Sequence, residues 1–481
     1  MACTTILVGK GASVDGSTLI ARNDDGGSDF KKYVVREAKI NDKDYKSKIS
    51  EVVVKLPKNA YRYTAIPNVD LSRGLWEAQG VNEFNVGMSA TETITSNPRV
   101  LGADPIKYEL KNGKQKPVGI GEEDLVTLVL PYIKSAKEGV LRLAKLLEEY
   151  GTYESNGIAF SDKDEIWYLE TIGAHHFIAI KVPFDKVVIL PNQLGINYFD
   201  FNDKENYLCS ADLKDFIINN HLYDGDLNII NPRIIFGSHT DQDHVYNSPR
   251  AWYMLRCINY DIFKKYENEI ESDELPFMVN PKNKISVEDI KYILGSHYQG
   301  TEYDPYISHS NKVLSGKYRS IGINRTDDCA CIQIRGYMPK EYQAIEWVGM
   351  GSNTFNTFIA QYTNVDKTPK YLSNTTLHAD VDNFYWAIRM IQCLADKIYG
   401  KAIVFVERYQ LKTMTMAHEI INKYDNLLKE NYDDGLFDNE LLIKANNELS
   451  NMVEKQTKAL LEKLLEISYA DMKNSYQRHD N

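Results

Sequence analysis

The chain has 481 residues, 43% of them hydrophobic and 26% charged, with a formal net charge of −11. That composition is ordinary for a soluble globular protein, and the length suits one large domain with an appendage. The acidic balance argues against nucleic acid or an anionic membrane as the main partner, and no run of about 18 apolar residues is present to span a bilayer.

Residues 1–25 organise the rest of the chain. Cys3 follows Met1 and Ala2; Thr4 to Val8 is an apolar run, Ser13-Val14-Asp15-Gly16-Ser17 a turn, and Thr18 to Ala21 a second apolar run that delivers Arg22 and Asp25. This predicts a β-hairpin that returns an arginine and a carboxylate towards the start of the chain. Short strands are predicted at Val52–Leu56, Tyr61–Ile66, Gly74–Gln79 and Asn85–Ala90, with a turn at Gly80-Val81-Asn82-Glu83. Glu122, Glu123 and Asp124 place acid in a first helical turn, where it complements the helix dipole, and this helix runs to Pro131. A second helix fits Ala136–Tyr150, with Gly151 ending it. Strands resume at Gly157–Phe160, Glu165–Thr171, His176–Val182 and Val187–Leu190, the last feeding Pro191-Asn192-Gln193. Residues 200–310 mix loops with short helices, one opened by Ser248-Pro249-Arg250 and one capped by Ser286. Strands return at Cys329–Ile334 and Gln343–Gly349, and beyond Val381 the pattern is helical, ending in an amphipathic segment from Phe437 to Tyr469. Segregated runs of strands and helices argue for an α+β fold, not an alternating barrel.

No basic segment followed by an apolar one opens the chain, so no secretory signal is expected. The six cysteines are scattered, without a CxxC pair, which argues for reduced thiols in a cytoplasmic protein and against a disulfide framework.

Cys3 is the residue with the strongest chemical promise. As a mature N-terminus it would carry both a thiol and an α-amine, whose intrinsic pKa of about 8 suits a general base. An arginine nearby would favour the thiolate, and a carboxylate would orient the amine. Cys3-Thr4, Asp15-Gly16, Arg22 and Asp25 together resemble the opening of the cysteine-type N-terminal-nucleophile hydrolases, in particular the bacterial dipeptidase A family, whose relatives include bile salt hydrolases and penicillin V acylases. Gly80–Glu83, Met88–Glu92, Asp162–Glu170, Pro191-Asn192-Gln193 and Ser248-Pro249-Arg250 extend the resemblance over roughly residues 3–370.

The resemblance implies a four-layer αββα sandwich over residues 1–380 and a helical C-terminal extension over 381–481 packed on it. It implies hydrolysis of dipeptides through a thioester, without metal or organic cofactor. Cys3 is then nucleophile and base, Arg22 stabilises the thiolate, Asp25 holds the amine, Asn192 donates to the oxyanion, and Arg250 pairs with a carboxylate. Glu92 stands where the amidase relatives commonly have Asn or Tyr, and its carboxylate is expected to receive the ammonium of a dipeptide substrate. The alternatives are an N-acyl amide hydrolase of the same fold and a non-catalytic relative retaining Met1-Ala2. The tail helix makes a homo-oligomer an expected state.

Other motifs are weaker. His239-Thr240-Asp241-Gln242-Asp243-His244 superficially resembles a metal-binding HxHxDH motif but has Asp241 where histidine is needed, so a hydrogen-bonded polar loop is expected there. His175-His176 lack a metal spacing, and Gly349-Met350-Gly351 lacks the lysine of a phosphate-binding loop.

Overall fold

The computed structural model describes residues 2–27, 29–307, 313–433 and 439–470. It is a mixed α/β structure built on two large antiparallel sheets. Their strands are β1 (Ala2–Val8), β2 (Thr18–Asp25), β3 (Gln79–Val81), β4 (Gly87–Thr93), β5 (Asn156–Ser161), β6 (Ile166–Ile172), β7 (His176–Lys181), β8 (Val187–Leu190), β9 (Tyr207–Cys209), β10 (Met278–Val279), β11 (Asp328–Ile334), β12 (Ala344–Met350) and β13 (Ile359–Tyr362). One sheet has the order β10-β8-β1-β2-β11-β12-β13 and the other β9-β7-β6-β5-β4-β3. The main helices are α1 (Glu122–Val129), α2 (Ala136–Tyr150), α3 (Ser248–Ile258), α4 (Val287–Leu294), α5 (Phe384–Lys397), α6 (Tyr399–Asp433) and α7 (Asn439–Tyr469).

The predicted hairpin forms, and both of its strands run further than the apolar pattern suggested. β1 lies inside its sheet and is buried on both faces, so its residues read as a near-continuous apolar run. Leu7 joins Ile20, Val188 and Ile332 of its own sheet and Tyr168, Ile178 and Ile180 of the other in one apolar cluster. Ile6 and Val8 point the other way, into a cluster shared with α3, α4 and the C-terminal helices. A third cluster packs Met88, Ala90, Phe160 and Leu169 against α1 and α2. α2 spans the residues expected of it, capped by Ser135, whose side chain accepts from the Glu138 amide. Its Gly139 permits close approach to the sheet: a Cβ there would lie 2.4 Å from the Phe160 ring.

Several expectations shift. Val52–Leu56 is reduced to the pair Val53–Val54. Gly80 and Val81 belong to β3 instead of the expected turn. His175 lies in the turn before β7, and both His175 and His176 place Nδ1 on the Asp104 carboxylate, at 2.8 and 2.7 Å. Phe437 lies outside the described residues.

The C-terminal helices complete the sheet. Leu442, Leu449, Val453 and Leu460 of α7 share a cluster with Ile359 and Tyr362 of β13. Asn446 accepts from the Tyr362 amide at 2.8 Å and donates to its carbonyl at 2.9 Å, so the edge strand's free backbone groups are met by a side chain. Asn446→Ala leaves both groups buried and unpaired. It is expected to cost about 2–4 kcal/mol, read as a lower urea midpoint with unchanged slope; an unchanged midpoint contradicts this packing.

Candidate active site

The hairpin register sets the geometry. Thr5 pairs with Arg22, Cys3 with Asp24 and Ala2 with Asp25. Alternation along the strands puts Cys3, Thr5, Arg22 and Asp24 on the face towards the second sheet and Asp25 on the other. Cys3 is fully buried. Its Sγ accepts from Arg22 Nη1 at 3.0 Å, and Arg22 Nη2 donates to the carbonyls of Ala78 and Ala90 at 3.1 and 2.8 Å. One guanidinium therefore holds the sulfur and joins the two sheets. Burial drives the Cys3 thiol well above its usual pKa; Arg22 opposes this shift, and the nearby Glu92 and Asp24 reinforce it.

Asn192 arrives from β8, which pairs with β1 through Thr5 and Leu190. Two residues beyond Leu190, its Oδ1 accepts from the Cys3 amide at 3.2 Å, while its Nδ2 donates to the Thr93 carbonyl at 3.0 Å. Arg250 sits in the first turn of α3. It donates to the Cys3 carbonyl, to Thr4 Oγ1 at 2.8 Å, to Asn192 Oδ1 at 2.7 Å, to Asn247 Oδ1 at 2.7 Å and to the Tyr246 carbonyl at 2.9 Å. The carboxylate implied for it is not among these partners. Burial lowers Arg250 to about 10, with the like charge of Arg319 contributing.

Asp25 also differs from expectation. Its carboxylate accepts from Arg319 and, at 2.6 Å, from Thr326 Oγ1. With Ala2 ahead of it in β1, Cys3 has an amide in place of an amine, and its single N–H goes to Asn192. Cys3, Arg22, Asn192 and Arg250 are thus brought into one hydrogen-bonded set, with Asp25 behind it on Arg319. Met1 lies outside the described residues.

Glu92 reaches the site because β4 is irregular. Its pairing with β5 shifts between Ala90 and Glu92, so one extra residue changes the side-chain parity. Ala90 faces the helices, whereas Glu92 Oε2 accepts from Thr5 Oγ1 at 2.7 Å, in the opposite sheet. Among the described residues Glu92 Oε1 is buried without a hydrogen-bond partner.

Sequence reasoning missed Asp24, Glu122 and Arg319. Asp24 was recoverable from the register opposite Cys3. Glu122, read only as a first-turn acid that complements the helix dipole, is buried, with Oε1 3.8 Å from Arg22 Nη1. Glu123 and Asp124 are buried as well. Cys3, Asp24 and Glu122 offer atoms within 4.8 Å of one another, a spacing that could suit a metal ion. Arg22 Nη1 lies 3.0 Å from the sulfur and 3.8 Å from each carboxylate, so a guanidinium already supplies the positive charge there.

The His239–His244 segment is a hydrogen-bonded polar cluster, partly on a short helix, Asp241–Tyr246. His239 Nδ1 and His244 Nε2 both contact Asp273, at 3.1 and 2.9 Å, and Arg233 joins the same carboxylate.

A family profile described as peptidase family C69 matches residues 2–412. The chain belongs to peptidase family C69. It is 44% identical over 535 residues to a dipeptidase of Bifidobacterium longum (strain NCC 2705), covering 100% of each chain. It is 47% identical over 474 residues to a probable dipeptidase A of Streptococcus pyogenes serotype M3 (strain SSI-1), covering 97% of each. It is 41% identical over 486 residues to dipeptidase A of Lactobacillus helveticus, covering 99% of each. The family resemblance read from the opening residues is borne out.

This C69 peptidase buries an unusual set of carboxylic acids. Burial pushes Glu92, Glu170 and Glu346 up to about 7. Burial, with the charges of Glu154 and Asp24, pushes Glu122 to about 8. Each folded-state pKa lies above its unfolded value, so the folded chain binds more protons between about pH 5 and pH 8 and loses stability as pH rises through that window. The melting temperature is expected to fall across this range, with a shallower slope in Glu122→Gln; a melting temperature that rises steadily instead contradicts these environments.

Proposed function

We propose that the protein is a cysteine-type dipeptidase acting through an N-terminal nucleophile. The contact of Arg22 Nη1 with Cys3 Sγ at 3.0 Å carries this reading: a buried thiol gains little by meeting a guanidinium unless it reacts as the thiolate. The names of the relatives support dipeptides as the substrates. In this reading the fold is the αββα sandwich of N-terminal-nucleophile hydrolases, supported by one apolar cluster between the sheets and one between each sheet and its helices. Residues 1–380 carry the catalytic apparatus, and 381–481 form the extension packed on it.

Removal of Met1-Ala2, by autoprocessing or another peptidase, converts the Cys3 amide to an amine. The amine takes the thiol proton, and Sγ attacks the scissile carbonyl. Asn192 Nδ2 turns from the Thr93 carbonyl to the oxyanion, a donor of a kind worth about 3 kcal/mol. The C–N bond breaks as the α-ammonium of Cys3 protonates the leaving amine, and a thioester remains. The amine then deprotonates water, which releases the first amino acid and restores the thiol. Asp25, held by Arg319 and Thr326, orients the ammonium. Arg250 fixes the Cys3 carbonyl and Asn192. Glu92, with its unpartnered Oε1, meets the substrate's own ammonium, because a buried ammonium needs such an acceptor.

No helix among the described residues is long and apolar enough to cross a membrane. A cytoplasmic setting is supported by the six cysteines, all free. Self-association is supported by the exposed Leu411, Leu427 and Leu465 of the terminal helices.

The test is release of amino acids from a dipeptide panel. Full activity in chelator, complete loss on thiol alkylation and an inactive Cys3→Ala variant are expected. Loss to chelator with resistance to alkylator overturns the mechanism.

A further inference from the structure

The proposed dipeptide substrate carries a free ammonium immediately beside the bond to be cut. That group lies two bonds of about 1.5 Å from the attacked carbon, and its acceptor must lie a further hydrogen bond of about 2.8 Å away. Any carboxylate that receives it must therefore stand within a few ångströms of Cys3 Sγ. Glu122 meets that condition, with an oxygen within 4.8 Å of the sulfur.

Glu122 is also chemically incomplete. It is 4% exposed, and its Oε2 is buried without a hydrogen-bond partner among the described residues. Oε1 faces Arg22 Nη1 at 3.8 Å, too far for a hydrogen bond. The helix start holds it in place: the Glu122 amide donates to Glu154 Oε1 at 2.7 Å, which brings a second carboxylate alongside. Burial of acids this close together is costly unless a cation joins them.

We propose that Glu122, backed by Glu154, is a second acceptor for the ammonium of the dipeptide and the stronger determinant of the requirement for a free N-terminus. This inference rests on the dipeptidase reading. Resident charges separate the two candidate acceptors. Glu92 feels Arg250, Arg22 and Arg319, three guanidiniums that would repel an arriving cation. Glu122 feels Glu154 and Asp24 more strongly than the one guanidinium, Arg22, that opposes them. A cation at Glu122 relieves repulsion, whereas one at Glu92 competes with charges already present. The N–H donors of an ammonium are also more than one carboxylate oxygen can satisfy.

The experiment compares kcat/KM for alanyl-alanine and N-acetyl-alanyl-alanine in the parent and in the Glu122→Gln, Glu122→Asp and Glu92→Gln variants, each checked for its N-terminal residue and thermal melt. The ratio of free to acetylated substrate is expected to fall about 100-fold in Glu122→Gln and about tenfold in Glu92→Gln. Glu122→Asp, which keeps the charge, is expected to recover at least tenfold of the loss. A merely structural role for Glu122 would lower both substrates together and leave the ratio unmoved. A parent that discriminates strongly while Glu122→Gln keeps its ratio within twofold overturns this inference and leaves the dipeptidase reading standing. A parent inactive on every dipeptide overturns both.

Discussion

Arg22 holds a charge in a place where burial opposes it, and the surroundings of that guanidinium account for much of the molecule. It is 1% exposed, and its environment nevertheless holds it more firmly protonated than usual, because burial is outweighed by Cys3, Asp24 and Glu122. A buried cation stripped of its partners costs several kcal/mol, so each partner is constrained in turn. The Ala78 and Ala90 carbonyls bring in the second sheet, Sγ of Cys3 comes from the neighbouring strand, and the carboxylates come from β2 and the start of α1. The same contacts that hold the sheets together across the site lower the energy of a thiolate at Cys3. The joining of the sheets and the charge state of Cys3 both depend on this side chain.

Charges of both signs surround Cys3: Asp24 and Glu122 offer oxygens within 4.8 Å of its sulfur, Arg250 donates to its carbonyl, and Arg319 feels its charge. Asp24 remains ionised: burial works against it, and Lys31 and Arg22 overcome that penalty to hold it at about 2. Glu122 is paired with no lysine among the described residues and is pushed the other way. Two acids in one cluster thus differ widely in proton affinity because Asp24 has the Lys31 ammonium at 3.0 Å, whereas Glu122 has Glu154 alongside.

Much of the scaffold was legible in the sequence, and the reasons differ by element. The hairpin was legible because both strands are buried on both faces and flank a turn rich in Asp, Gly and Ser. α2 was legible from its apolar stripe and from Gly151, which ends it. β13 was missed, being four residues long and preceded by an asparagine-rich loop. Cys3, Arg22, Asn192 and Arg250 meet as expected, since strand register and one proline-led helix start suffice to place them. Glu92 could be named, but not aimed, because its direction depends on a bulge that no residue pattern announces. Glu122 was placed correctly in a first helical turn but not in the site, because an acidic helix start looks the same in a sequence whether it faces water or a buried thiol. Arg319 comes from a loop without periodicity. Asp25 and Asn192 hold other partners here because the expected roles need a free amine at Cys3 and a substrate, whereas Ala2 is still attached.

In the proposed mechanism Cys3 becomes the N-terminal residue and forms the acyl bond. The most direct measurement is mass spectrometry of the purified, active protein, denatured in acid during turnover of a dipeptide and mapped by peptide. The expected result is an N-terminal peptide that begins at Cys3 and carries the substrate's first aminoacyl group as a thioester labile to hydroxylamine. An active enzyme whose N-terminal peptide still begins with Met1 or Ala2, or whose acyl group lies on any other residue, would contradict it.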